Sequence, residues 1–228
     1  MRRIINVFQC WSIGMLVVGL CGCATTAPQS NGGAVPSSLS RLGHEVQQAI
    51  VVDANSSGGF KARLSAWQRQ KNGWQQAFEP MDAVIGKNGL APEGQKKEGD
   101  GRTPSGIYAL GTAFGYDSDT QTKLPFRLVS DNDYWVDDPA SFQYNQWVTG
   151  NLQAKSYEKL KRDDDLYKYA VVIDYNTSPI IPGDGSAIFL HIWRASDKPT
   201  AGCVAVSEKD ILRLLRWLDA SMDPRIIL

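Results

Sequence analysis

Apolar residues in this chain fall in short blocks bounded by Gly, Pro, Asn and Asp, the pattern of brief strands separated by tight turns. A short helix is expected over residues 42–48 and a first strand over 49–53. Residues 60–68 alternate apolar and polar. Asn72 and Gly73 ahead of Trp74 are the dipeptide that favours a hairpin, so two antiparallel strands meet there. Residues 82–86 offer another strand, closed by the turn residues Lys87, Asn88 and Gly89. Turn residues from Gly99 to Gly106 form a tight connection that leads into a strand at Ile107. The apolar run Ala187, Ile188, Phe189, Leu190 and the segment 204–206 read as two buried strands joined by a loop. Ser207 with Asp210 forms a variant capping box, and Ile211, Leu214, Leu215 and Leu218 keep helical spacing behind it. Residues 225–228 close the chain as a final strand. The expected fold is mainly β, mostly antiparallel, with one or two short helices.

Residues 126–176 depart from this rhythm. They are rich in aromatics and acids, including Tyr134, Trp135, Phe142, Tyr144 and Trp147, with a charged, helix-like stretch over 156–164. A segment of that length between strands is more than a connection, and a lid or a binding wall is expected. Asp137 and Asp138 cannot flank one glycosidic bond, because neighbours on an extended backbone point opposite ways.

At the other end, Arg2 and Arg3 precede an apolar segment over about residues 11–20, followed by Leu20, Cys21, Gly22, Cys23. Residues 1–22 are expected to be a secretory signal, too short to span a bilayer comfortably. Leu20 to Cys23 resembles a bacterial lipobox, which would make Cys23 the lipidated residue. Residues 23–42, small, polar and rich in Pro, Gly and Ser, are expected to be a flexible tether, and residues 43–228 one domain.

Composition narrows the chemistry. The 228 residues carry 24 basic and 24 acidic side chains; without Arg2 and Arg3 the balance is 22 to 24, a net charge of −2. No basic stripe for nucleic acid follows from that. Removal of the signal takes away Cys10 and Cys21, and lipidation consumes Cys23, so Cys203 is left as a lone thiol with no intrachain partner. His44 and His191 are the two histidines, and neither lies in a cluster with metal-ligand spacing, so no metal and no cofactor is expected.

His191 stands at the entrance of the loop between the two buried strands and Cys203 at its exit. An imidazole there can take the thiol proton, and the thiolate is the form that attacks carbonyls. Gly202 lets a substrate approach the backbone closely, which makes the N–H groups of Gly202 and Cys203 the candidate oxyanion donors.

The segment Thr200, Ala201, Gly202, Cys203, Val204 resembles the [ST]-x-G-C-[IV] signature of the YkuD-type L,D-transpeptidases, with His191 in the place of the upstream histidine. The stretches GDGRTPSGIY (99–108), WVDDPASFQYNQWV (135–148), VIDYN (172–176) and GDGSAIFLHIWR (183–194) are similar to one branch of that family. Ala201 and Ala205 depart from it, since many members carry a second histidine and an Arg or Asn there.

The resemblance implies a YkuD-type β-sandwich and a cysteine enzyme acting on peptidoglycan stem peptides through an acyl-enzyme thioester. It implies that the carbonyl of Ile192 orients His191, and that Arg194, Thr200 and Ser186 contact substrate. The expected protein is a monomer, anchored through its lipid in the outer membrane and facing the periplasm. An L,D-carboxypeptidase or endopeptidase using water, and a non-catalytic peptidoglycan-binding lipoprotein, are the alternatives.

Overall fold

The computed structural model describes residues 34–54 and 59–228. The signal stretch 1–22, Cys23 and the linker up to residue 33 lie outside the described residues.

Strands β1 (Gln48–Ala54) and β2 (Lys61–Gln70) pair antiparallel over their whole length, and a tight turn leads from β2 into β3 (Gly73–Gln76). Lys71 and Asn72 make that turn, while Gly73 takes the positive φ of 103° and opens β3 opposite Gln70. The hairpin signal therefore acts one residue earlier than expected, with glycine absorbing the left-handed twist at the strand start.

The remaining strands are β4 (Met81–Val84), β5 (Ile107–Gly115), β6 (Phe126–Leu128), β7 (Asp133–Val136), β8 (Trp147–Thr149), β9 (Tyr157–Lys159), β10 (Tyr169–Ile173), β11 (Phe189–Ile192), β12 (Val204–Val206) and β13 (Arg225–Ile227). The order β1-β13-β5-β10-β11-β12-β4-β2 returns to β1 through the β1–β2 pairing. These eight strands thus close on themselves as a barrel-like sandwich, and β3 and β6 branch from it on β2 and β5. The mostly antiparallel sandwich is met only in part, because β1–β13, β5–β6 and β11–β12 run parallel.

Among the described residues there is one α-helix, α1 (Glu208–Trp217), packed on β10 and β11. Its N-cap Ser207 accepts from the Asp210 N–H at 3.1 Å, which starts the helix, and its buried face is Ile211, Leu214 and Leu215. Two short 3-10 turns occur at Ser37–Arg41 and Ala220–Met222. The helix expected over 42–48 does not form. A 3-10 turn after Pro36 replaces it, burying Leu39 against Trp67 and Ile227, and Gln48 already belongs to β1.

Nor is 156–164 helical. Its core is β9, held by the pairings Tyr134↔Lys159 and Val136↔Tyr157 in a small sheet of order β8-β7-β9. Cross-strand packing decides the matter, since the Tyr134 and Tyr157 rings meet edge to face at 5.0 Å. The aromatic segment is therefore a second sheet laid over the barrel.

Two apolar clusters result from strand alternation. Tyr169, Val171 and Ile173 of β10, with Leu190 and Ile192 of β11 and Val204 and Val206 of β12, point into the main core with the buried face of α1. Ala170, Val172, Phe189 and Cys203 point the other way, into a cluster with Phe114, Trp135, Leu160 and Tyr167. Its rings stack edge to face, with Phe189 at 5.1 Å from Trp135, 5.2 Å from Phe114 and 5.5 Å from Tyr167. Such pairs contribute about 0.5–1.5 kcal/mol each beyond the area they bury.

Candidate active site

Strands β11 and β12 are parallel neighbours in the register Leu190↔Val204 and His191↔Ala205. Cys203, one residue before β12, lies beside Phe189, so His191 sits diagonally across from it on the same face. Both side chains are buried, 6% and 5% exposed, and both line one cleft of about 250 Å³.

The thiol is fixed by backbone. Sγ donates to the Ala187 carbonyl at 3.2 Å and accepts from the Phe189 N–H at 3.3 Å. Ala187 holds a left-handed φ of 53°, an uncommon state for a residue with a Cβ, and its N–H donates to Asn145 Oδ1 at 3.1 Å. Burial pushes the thiol up to about 12 and Glu158 adds to this, while the Phe189 N–H, the Tyr167 hydroxyl and Arg162 act against it.

Burial pulls the imidazole down to about 4, partly offset by the backbone carbonyls of Ile192 and Leu166. The His191 Nδ1–H donates to the Ile192 carbonyl at 2.7 Å. A carbonyl only accepts, so the neutral ring keeps its lone pair on Nε2. At neutral pH the pair rests as thiol and free imidazole.

Threonines pin the loop that carries the cysteine. Thr103, fully buried, donates to the Gly202 carbonyl at 2.6 Å and accepts from the Gly86 N–H at 2.9 Å. Thr200 donates to the Cys203 carbonyl at 2.6 Å and receives the Gly202 N–H at 3.2 Å. A Cβ on Gly202 would stand 3.0 Å from the Arg102 carbonyl oxygen and 3.3 Å from Ile188 Cδ1, so glycine is what allows this close approach. The Gly202 N–H is thus occupied by a hydroxyl, and oxyanion binding there requires Thr200 to yield.

The cleft wall is cationic. Arg162 makes a bidentate pair with Asp164 at 2.7 and 2.8 Å, and Arg194 reaches the same carboxylate at 2.9 Å, with Lys198 on the same wall. Arg194 and Thr200 therefore line the cleft of Cys203 and His191. Ser186 does not. It is buried, donates to Glu98 at 2.7 Å, and is not among the residues that line this cleft. Among the lining residues that were not singled out from the sequence are Glu158, Arg162 and Tyr167. They belong to the aromatic and acidic segment expected to form a wall, but nothing in their spacing marks them.

A family model described as YkuD, L,D-transpeptidase catalytic domain, matches residues 47–227. No curated protein and no solved structure matches the chain.

Proposed function

Because the chain belongs to the YkuD family of L,D-transpeptidase catalytic domains, we propose that it is a cysteine acyltransferase acting on peptidoglycan stem peptides. The observation that carries this reading is a buried thiol, the only one among the described residues, and a neutral imidazole opening into one cationic cleft. Nε2 of His191 takes the Cys203 proton as Sγ attacks the carbonyl before a terminal D-alanine. The S–C bond forms, the C–N bond breaks, and the imidazolium returns its proton to the departing amine. An acceptor amine then resolves the thioester.

Negative charge on the tetrahedral oxygen falls beside the Cys203 N–H and, once Thr200 releases it, the Gly202 N–H, where each good donor is worth about 3 kcal/mol. Arg194 is suited to the stem-peptide carboxylate because its partner Asp164 is shared with Arg162, which leaves donors free. The His191 ring is oriented by the Ile192 carbonyl, and Thr200 acts through the Cys203 carbonyl. Cys23 is the lipid anchor in this reading. It puts the domain in the periplasm under the outer membrane.

Incubation of the purified full-length protein with disaccharide tetrapeptide, followed by mass spectrometry, tests the activity. Cross-linked dimer with released D-alanine is expected. Tripeptide alone means water is the acceptor, and neither product from folded protein contradicts the proposal.

A further inference from the structure

The side-chain amide of Asn145 is buried, and each of its lone pairs and hydrogens is used. Oδ1 accepts from the Trp135 indole at 2.8 Å and from the Ala187 N–H at 3.1 Å, while Nδ2 donates to the Tyr175 carbonyl at 3.1 Å and the Asn176 carbonyl at 2.7 Å. Two donors on one side and two carbonyls on the other fix which way the amide faces. One side chain thereby ties β7 and the connection after β10 to the approach to β11.

That approach carries the resting thiol. Ala187 holds its left-handed φ of 53°, and its carbonyl accepts the Sγ–H at 3.2 Å, while the Phe189 N–H donates to Sγ at 3.3 Å. Among the described residues, His191 is not a hydrogen-bond partner of Sγ. The thiol hydrogen is committed to a backbone oxygen two residues before Phe189, and the base stands two residues after it.

We propose that Asn145 is a positioning residue: by anchoring the Ala187 N–H it holds the Ala187 carbonyl as the resting acceptor of the Cys203 hydrogen, so the nucleophile is parked as a thiol until that hydrogen turns to His191. The inference rests on Cys203 being the nucleophile and His191 its base. A carbonyl oxygen stabilises S–H and repels a thiolate, so this contact belongs to the state before ionisation. When the S–H turns to Nε2 the hydrogen passes to the imidazole, and the sulfur keeps the Phe189 N–H, a donor that suits its charge. Without Asn145 the Ala187 N–H has no anchor and its left-handed backbone loses a support.

The test is Raman spectroscopy of the full-length protein, in which the difference between wild type and Cys203→Ala isolates the S–H stretch of Cys203. The wild-type band should lie below that of an alkanethiol in an apolar solvent, the mark of a donating S–H. Asn145→Gly suits the φ of 53° at that position and removes the amide. Its band should rise towards the alkanethiol position, and alkylation of Cys203 by iodoacetamide at neutral pH should quicken about fivefold, the contribution of one hydrogen bond. In a His191→Ala background the same substitution should bring no gain. A gain that persists there means that the site has merely opened, and overturns the hold. A wild-type band at the alkanethiol position overturns the thiol contact, and an Asn145→Gly band that does not move, or slower alkylation, overturns the role of Asn145. Should Asn145→Gly not fold by circular dichroism, Ala187→Gly decides, because it removes the methyl packed in the aromatic cluster and leaves the hydrogen bond to Asn145. An unchanged band then upholds Asn145, and a raised one shows that the methyl holds the carbonyl. None of these readings needs a stem peptide, so they separate failure of this proposal from failure of the acyltransferase reading.

Discussion

The Thr103 hydroxyl donates to the Gly202 carbonyl at 2.6 Å across a separation of 99 residues, tying the turn after Asp100 to the peptide unit just before the cysteine. The same oxygen accepts the Gly86 N–H, so one small side chain joins three loops at the floor of the site. Thr103→Val keeps the shape and leaves a buried carbonyl and a buried N–H without their partner. A loss of about 1–3 kcal/mol is expected, seen as a melting temperature lower by roughly 2–12 °C. Acylation of Cys203 should slow as well, since the Gly202–Cys203 peptide loses its anchor. A variant with wild-type melting and wild-type rate would show that the contact is incidental.

His191→Ala should slow acylation of Cys203 by at least about 100-fold, the lower range for a lost general base, with the circular dichroism spectrum retained. Single-turnover acylation by a carbapenem, followed by intact mass, measures it.

The depressed His191 pKa has two pH consequences. The imidazole stays neutral down to about 4, so the acid limb of acylation is expected there and not near 6.5. For stability the folded value lies below the unfolded one. The unfolded chain therefore binds a proton that the folded one refuses as pH falls from about 6.5 to about 4, and stability drops across that window. Urea midpoints at the two ends of the window should differ less in His191→Ala than in the wild type.

Asp133 is the hub of the small sheet. It is buried and accepts from the Ser130 N–H at 2.8 Å, the Trp147 indole at 2.7 Å, the Arg127 guanidinium at 3.2 Å and the Thr149 hydroxyl. Burial alone would raise its pKa; the hydrogen bonds from Thr149, Trp147 and Ser130 overcome this and hold it well below the usual carboxylate range. Its contribution is present above the unfolded value near 3.8 and is lost as pH falls below it. Asp133→Ala should cost about 3 kcal/mol at neutral pH, and thermal melts of the pair should converge at low pH. A gap unchanged by acid would contradict the ionised state.

Cys23→Ala should abolish incorporation of labelled palmitate and leave the protein out of the outer-membrane fraction. A variant that is still palmitoylated would refute the anchor.

Much of this arrangement was legible because local rules and the fold agree. Period-two alternation through Phe189, Leu190, His191 and Ile192 requires two faces, and those faces are the core and the cleft. The Ser207 cap and the spacing of Ile211, Leu214 and Leu215 specify α1. What could not be read was decided by partners distant in sequence. The stretch around Glu158 is polar enough for a solvated helix, and only pairing with Tyr134 and Trp135 makes it a strand. That pairing also brings Glu158 to Tyr167. Closure of the barrel depends likewise on β13 lying parallel to β1, a register that neither segment encodes alone. Ser186, a substrate contact by resemblance, has its hydroxyl on Glu98 between the positive-φ residues Gly185 and Ala187, a placement that no local pattern encodes.

The most direct test of the central claim is mass spectrometry of the full-length protein trapped during reaction with disaccharide tetrapeptide, with the adduct mapped by proteolysis. The account predicts a mass increase equal to the donor less D-alanine, located on Cys203 and absent from Cys203→Ala. An adduct on any other residue, or turnover that survives in Cys203→Ala, would contradict it.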